Sequence, residues 1–414
     1  MRDIVVIGGG AVGLWSAWHL HKAGVRVTII DKSAMQDGCS YGNAGMIVPS
    51  HFIPMASPGI IAQGIRWMFK KKSPFYIRPR ASSELMRWLW LFYRSASSRH
   101  VADSVSLLRD MHTESRELYR DLDRMPGFGF GFSQKGILML FQTPGAESDE
   151  LETAEMAHQL GIEANYLTSE QLTRIEPALK VQVKGAVHYP GDAHLSPEIM
   201  MRQLKAALLA EGVQCMTHTE ATAIIDDHKN GVRIHTKNGE TIPAKNVVLS
   251  AGSWSSKLMS LSGFSLPVQD GKGYSMTVHQ PNICPSIPAI LHEARVAITP
   301  MGTNLRISGT LEISGMDEII STHKVRSILD AVPGYYPQLH IHDPGPVWFG
   351  YRPCTPDGLP YIGRWSEDSA VIVATGHAMM GLSLAPVTGR MVKDLVTGNA
   401  TLHQKLNPAR FAGK

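Results

Sequence analysis

The sequence of 414 residues predicts an α/β fold. Three observations predict it: a strand, glycine turn, helix and second strand that end at Asp31; amphipathic helical stripes through the middle of the chain; and β-rich stretches from Ala221 onward. The length accommodates two or three domains at roughly 100–200 residues each. Apolar residues make up 43% and charged residues 18%, so enough surface can be buried to offset the ordering entropy, which excludes a disordered chain.

Ile4-Val5-Val6-Ile7 is a short apolar run ended by glycines, which predicts a strand buried on both faces. Gly8-Gly9-Gly10-Ala11-Val12-Gly13 follows, then a helix from Leu14 to Ala23 closed by Gly24, then a β run from Val25 to Ile30 that stops at Asp31. Gly8 permits the tight turn, Gly10 lets backbone approach a pyrophosphate, and Gly13 lets helix and strand pack closely. The helix N-terminus offers N–H donors and positive dipole to phosphates, and Asp31 is placed to accept from both ribose hydroxyls of an adenosine. This is a Rossmann-like dinucleotide site, and the motif alone leaves FAD and NAD both open.

Lys and Arg number 40 against 36 Asp and Glu, a formal charge of +4, and the basic residues are dispersed apart from Lys70, Lys71 and Lys72. Nucleic acid is therefore excluded as a ligand. The four cysteines, Cys39, Cys215, Cys284 and Cys354, are far apart with no Cys-x-x-Cys, which excludes a zinc knuckle or disulfide framework; no metal is expected. The N-terminus shows no leader pattern and no stretch reaches the roughly eighteen apolar residues of a membrane span, so the expected location is cytoplasmic.

Ser104 to Met125 carries Met111, Leu118, Leu122 and Met125 on one helical face and is expected to be a helix of a cap domain. Ser133 to Phe141 predicts a strand, Glu150 to Leu160 a helix, and Leu167 to Gln171 a turn opening a short helix closed by Pro177. Ser196-Pro197-Glu198 opens another helix, with Met200, Leu204, Ala207 and Leu208 inward and Gly212 at its end. From Ala221 to Ala244 three short β runs are separated by Lys229-Asn230-Gly231 and Lys237-Asn238-Gly239, both hairpin signals. Asn246 to Leu249 then returns as a strand to the first sheet, ending in Ala251-Gly252-Ser253-Trp254. Gly271 to Val278, Val296 to Pro300 and Asn304 to Thr310 form a second strand-rich stretch.

Cys39-Ser40-Tyr41-Gly42-Asn43-Ala44-Gly45-Met46-Ile47 resembles the small-residue loop that lies along the pyrophosphate and ring of FAD in the D-amino-acid oxidase and glycine oxidase superfamily. Pro49-Ser50-His51, the run Pro54 to Gly59, and the stretch Trp67 to Trp90 are similar to bacterial D-amino-acid dehydrogenases. The most specific matches are Trp348 to Gly363, Val371 to Gly381 and Ala385 to Gly389, and the resemblance covers nearly the whole chain. It implies FAD as cofactor. Asp31 and Lys32 would lie at the adenosine, Ala221 beside the adenine, Ser40, Asn43, Ala44 and Gly45 along the cofactor, and Ala251 and Gly252 near the pyrophosphate. Gly376, His377, Gly381, Leu382 and Ser383 would lie at the ring, with Gly381-Leu382-Ser383 starting a helix whose N–H groups face the ring edge that becomes negative on reduction. The implied fold is a Rossmann-like FAD-binding domain (1–50, 195–265 and 350–414) interleaved with an α+β substrate (cap) domain (51–194 and 266–349) built on an antiparallel sheet.

By the same resemblance Arg352 is the arginine whose planar fork holds the substrate carboxylate. The second cation some relatives carry after the Gly-His pair is replaced here by Ala378, Met379 and Met380, which suggests an apolar wall. Relatives place a tyrosine over the substrate from the strand holding Val296; none is there, so Tyr274 is the substitute, and His51 is expected to reach the pocket. Cys354 stands near where some relatives attach FAD, but Arg352 holds the equivalent place. No base is assigned, because a neutral amine needs none for hydride transfer.

The expected activity is FAD-dependent oxidation of a small D-amino acid to its imino acid, with electrons passed to a quinone or other acceptor. The alternatives are a cyclic or secondary amino acid (D-proline, a hydroxy-D-proline, sarcosine) and, in another class, a non-catalytic flavin-binding subunit or assembly factor, against which Arg352 counts. The aromatic-aliphatic stretches Ile65 to Phe69 and Leu85 to Tyr93 around the lysines predict peripheral contact with the inner face of the membrane, or equally a core helix pair or a partner-subunit contact.

Overall fold

The computed structural model describes residues 2–68, 74–177, 179–227, 231–399 and 403–412; the expected basic run Lys70–Lys72 and the hairpin residues Lys229 and Asn230 lie outside them, as do the side chains of Trp67 and Met68. Two large sheets carry the site. The first has eight strands, with the parallel core Val371–Thr375, Thr241–Leu249, Arg2–Ile7, Val27–Ile30 and Gln214–Met216 side by side. Val5 and Val6 are sealed on both faces, as an apolar strand in a parallel sheet must be. The segment 241–249 corrects one expectation: the last meander run and the returning strand are one continuous strand, antiparallel to Val232–Thr236 at one end and parallel to Arg2–Ile7 at the other.

The helix Ala11–Lys22 crosses this sheet and packs against Ala385–Thr397. A Cβ on Gly389 would lie 2.5 Å from the backbone carbonyl carbon of Trp15, so the two helices touch main chain to main chain. The helix Val105–Asp123 packs on this side through its second half: Tyr119 and Leu122 share a core with Trp15, and the Tyr119 ring meets Trp15 edge-on at 5.3 Å, while Val105, Leu108 and Met111 pack with Met139 and Phe141. That packing corrects its expected stripe. Met111 and Leu122 are buried, but Leu118 is half-buried and Met125 exposed, while His112, Ser115 and Tyr119 point inward. Polar residues face in because they bond the chain they cover: Ser115 Oγ accepts from Val387 N at 3.2 Å and Tyr119 donates to Leu382 O at 2.8 Å.

The second sheet has nine strands, in the order Trp348–Cys354, Gln269–His279, Asn304–Ile313, Val296–Met301, Ala289–Leu291, Ile137–Phe141, Gly185–Tyr189, Asn165–Thr168, with Phe75–Ile77 paired to Asn304–Ile313. The expected domain boundary at 350 falls inside the strand Trp348–Cys354, whose residues pair in register with 269–275. One face of this sheet is covered by the helix Thr322–Tyr335; the other turns toward the first sheet. Met46–Ile47 and Ala193–His194 form a small bridge between the two systems.

The helix Ser83–Ser95 is capped by Ser82 and has two characters. Leu85, Trp88 and Leu91 are buried, and Trp88 Nε1 donates to Cys354 O at 2.9 Å, so this tryptophan belongs to the core and not to a surface belt. Met86, Trp90 and Tyr93 face outward, Tyr93 at 68% exposure. No helix of the described residues is long and apolar enough to cross a membrane.

The Gly389 contact yields a test. Alanine is the better helix former, yet Gly389→Ala places a methyl against the Trp15 backbone; the expected outcome is a loss of about 1–3 kcal/mol, read as a lower unfolding midpoint.

Candidate active site

Between the two sheets lies a cavity of about 1760 Å³, lined from the glycine turn at one end to Arg352 and His51 at the other. That exceeds the roughly 300–1,000 Å³ usual for one small ligand. Gly8 and Gly10 face it, as does Val12 in the first turn of Ala11–Lys22, whose N–H has no partner within the helix; Ala11 N donates to Ser40 Oγ at 3.0 Å. Gly13 stands behind the wall: its Cβ would lie 1.9 Å from the Gly8 carbonyl oxygen, so no other residue fits. Asp31 lines the cavity, with Oδ2 accepting from Gly9 N at 2.7 Å and Oδ1 from Ser33 N at 2.8 Å. Lys32 beside it sits 3.5 Å over the Trp254 ring. Ala221, Ala251 and Gly252 continue the same wall.

The loop 39–51 runs along the cavity, with Ser40, Asn43 and Ala44 in its wall. Gly45 is not on the wall; its N–H donates to Asn43 Oδ1 at 2.9 Å. Across the cavity His377, Gly381 and Leu382 line it, while Gly376 and Ser383 do not. Ser383 is buried, with its Oγ accepting from Val48 N at 3.0 Å and bonded to His112 Nδ1 at 2.8 Å. Its hydroxyl is a strut for the loop. The expected helix start is also corrected: Gly381-Leu382-Ser383 form a turn after the 3₁₀ segment Ala378–Met380, and the α-helix begins at Ala385. His377 Nε2 bonds Thr388 Oγ1 at 2.9 Å; that hydroxyl donates to Leu384 O, so Nε2 carries the proton.

Arg352 lies on the cavity side of its strand, over Gly273, where a Cβ would meet the guanidinium at 2.2 Å. One guanidinium nitrogen donates to the carbonyl of Thr310, a β-branched residue at an unusual φ of 63°. Burial lowers the Arg352 pKa, but a guanidinium starts so high that it stays charged. Tyr274 follows Gly273, so its side chain takes the other face, in a core with Ile307 and Ile328; its ring edges the cavity wall, and its hydroxyl donates to Glu312 Oε2 at 2.8 Å and accepts from Ser321 N at 3.3 Å. His51 is on the wall, its Nδ1 3.1 Å from Ser50 Oγ.

Ala378, Met379 and Met380 line the cavity, but the wall is not short of cations: Arg295 also lines it, 3.4 Å from His292 Nε2, whose ring is held by Glu150 at 2.7 Å. Sequence reasoning missed Arg295, which precedes a strand and lies in no motif. Cys354 is buried off the wall and its thiol is pushed up to about 12 by burial; Cys39 is on the wall, its thiol also raised by burial. Among the described residues no group of His, Cys, Asp and Glu could hold a metal ion.

The model of one family, FAD dependent oxidoreductase (DAO), matches residues 3–395. The chain belongs to that family. D-amino acid dehydrogenases of Bradyrhizobium diazoefficiens and Neisseria meningitidis are 30% identical over 407 and 409 residues, covering 95% and 96% of both chains. Among solved structures, glycine oxidase from Geobacillus kaustophilus superposes with a TM-score of 0.79 at 26% identity, each chain covered to 99%. L-proline dehydrogenase from P. horikoshii shares the fold, with a TM-score of 0.72 at 20% identity over 99% of this chain and 97% of that one.

As a member of this family the protein is an FAD-dependent oxidoreductase, and its own residues fit the cofactor. The N–H groups at the helix start suit a pyrophosphate, the spare lone pairs of Asp31 suit ribose hydroxyls, and the cavity is long enough to continue to Arg352. Asp31→Ala removes those acceptors and the Gly9 anchor, so FAD binding should weaken about 10- to 100-fold, measured as flavin content and dissociation constant of the purified protein.

Burial also sets a pH dependence. It lowers His51 and His194 to about 4, His112 and His377 to about 3, and His19 to about 4. Below pH ~6.5 the unfolded chain takes protons that these folded sites refuse, so stability falls as pH drops toward 4. Asp192 and Asp270, raised by burial to about 7 and about 6, bind protons first in the folded state and oppose this. The histidines outnumber them, so the unfolding midpoint should be lower at pH ~5 than at pH ~7.

Proposed function

We propose that this protein oxidises a small D-amino acid to its imino acid. The observation that carries the reading is the half-buried Arg352 guanidinium on the cavity wall, seated on Gly273 and fixed by Thr310 O, a charge held in place with an opening beside it. Its planar fork suits a carboxylate, and a carboxylate would offset its desolvation. A non-catalytic subunit would have no need to maintain so costly a group. The D configuration and the dehydrogenase reaction are supported by the names of the curated relatives at 30% identity.

FAD, when bound, supplies the acceptor for the hydride leaving the α-carbon. The chain's part is to orient and to dry the substrate. Arg352 fixes the carboxylate, and Met380 and Ile290 beside Ala297 give an apolar wall that favours the neutral amine over the ammonium. His51, Arg295 and Glu150 face the same cavity and give the wall a polar side.

The electron acceptor in this reading is a membrane quinone or a similar carrier, with the protein bound peripherally at the inner face of the membrane. Ile65, Met86 and Tyr93 are exposed and also line the cavity, so its mouth opens among outward apolar side chains, with Trp90 beside them. Aromatic residues favour such an interface.

Anaerobic titration of the yellow protein with paired D- and L-amino acids tests the activity: a D-amino acid should bleach the flavin, and bleaching by none would contradict the reading. Arg352→Lys should keep FAD and lose about 2–4 kcal/mol in kcat/KM; unchanged kcat/KM would make Arg352 structural. For the membrane, the protein should co-sediment with anionic vesicles at low salt and lose that binding when Met86, Trp90 and Tyr93 become serine; no binding at low salt would exclude it.

A further inference from the structure

Asp192 is a fully buried carboxylate with no part in the reaction proposed above. It has no cation within ion-pair distance among the described residues: Arg116, the nearest contributing charge, is bonded to Glu117 and to Gly191 O. Both carboxylate oxygens are instead given to one residue. Ser50 N donates to Oδ1 at 3.0 Å, and Ser50 Oγ donates to Oδ2. A buried carboxylate supported in this way is expensive to keep, and an amide or a second serine would satisfy Ser50 at lower cost.

What the carboxylate adds is direction. Because the Ser50 hydroxyl hydrogen is committed to Asp192, the 3.1 Å contact between Ser50 Oγ and His51 Nδ1 must be made by a hydrogen on Nδ1. His51 Nε2 then holds a bare lone pair. His51 lines the cavity, and no bond to Nε2 is formed among the described residues. Left alone, the same ring would pair Nδ1 as acceptor from serine and turn an N–H toward the cavity.

We propose that Asp192 is a positioning residue: through Ser50 it holds His51 in the Nδ1–H tautomer, so that Nε2 accepts a hydrogen bond from a donor group of the substrate, its amine N–H or a side-chain hydroxyl. This rests on the amino-acid-oxidising function proposed above. Burial keeps the ring neutral, with Glu150 opposing and Arg295 reinforcing that effect, and His112 lies close enough to add to it. Asp192 itself faces Ser50, Arg116 and Tyr189; burial pushes its carboxyl up to about 7. When a proton enters at Nε2 from the cavity, the Nδ1 proton passes to Ser50 Oγ and the serine proton passes to Asp192; Asp192 then donates to Ser50 Oγ, serine donates to Nδ1, and the ring is again neutral with its hydrogen on Nε2. A substrate lacking the donor leaves the lone pair unmet, which disfavours it.

The test uses FAD-loaded protein with ¹⁵N-labelled histidine. Long-range ¹⁵N–¹H spectra, with His51 assigned by loss of its signals in His51→Gln, should show Nδ1–H for His51 at pH ~8 and Nε2–H in Asp192→Asn, whose amide must donate to Ser50. This reading needs no turnover, so it stands apart from failure of the functional reading, which shows as a flavin that no amino acid bleaches. In turnover, Asp192→Asn and Ser50→Ala should each lower kcat/KM about 10- to 100-fold at unchanged flavin content, and the pH-rate limb near 7 should vanish in Asp192→Asn. Comparing D-alanine with D-serine, and D-proline with hydroxy-D-proline, locates the donor: loss in both members assigns it to the amine, loss in the hydroxylated member alone to the hydroxyl. If Asp192→Asn fails to hold flavin, Ser50→Ala carries the comparison. A His51 tautomer and pH profile unchanged in both variants would overturn the proposal.

Discussion

The rest of the structure depends on one constraint: the loop 39–51 carries main-chain polar groups through the seam between two sheets, where water cannot serve them. Some are met within the loop, as Gly45 N is by Asn43 Oδ1, but several are answered from far along the chain. Arg306 donates to Tyr41 O and Asn43 O, Ser275 to Gly42 O at 2.8 Å, Ser383 accepts from Val48 N, and Asp192 from Ser50 N. Those donors and acceptors come from the second sheet, from the turn before the last helix and from the bridge beside Ala193, so satisfying the loop fixes the two sheets against each other. The cavity is the space this arrangement leaves.

The same seam explains where charge is allowed. Cations face the cavity at Arg352 and Arg295, while the neighbouring histidines are kept neutral by burial. A carboxylate entering this space meets positive charge in low dielectric, and an amine entering it finds acceptors and apolar wall instead of a protonated ring.

What was legible in the sequence was local. The first strand, glycine turn, helix and Asp31 lie within one unit whose contacts are close in sequence, so residue type and spacing determine them. The turn from Leu167 to Gln171 that opens a short helix was legible for the same reason; there Thr168 and Gln171 form a capping box. The Tyr274 face was not, since alternation shows that Gly273 and Tyr274 point opposite ways but not which side of the sheet holds the cavity. Ser383 read as a ring neighbour because small polar residues near a helix start suit that role; its hydroxyl is drawn off by Val48 and His112, contacts hundreds of residues apart. Arg295 and Asp192 belong to no motif. Their significance comes only from the tertiary placement of a strand end and a turn.

The central claim is that Arg352 holds the substrate carboxylate inside this cavity. The most direct measurement is a crystal structure of the FAD-loaded protein with a D-2-hydroxy acid, which keeps the carboxylate and lacks the amine. The carboxylate should lie on the Arg352 guanidinium, within hydrogen-bond distance, on the Gly273 side of the sheet. A ligand bound elsewhere, with Arg352 turned into a protein ion pair, would contradict it.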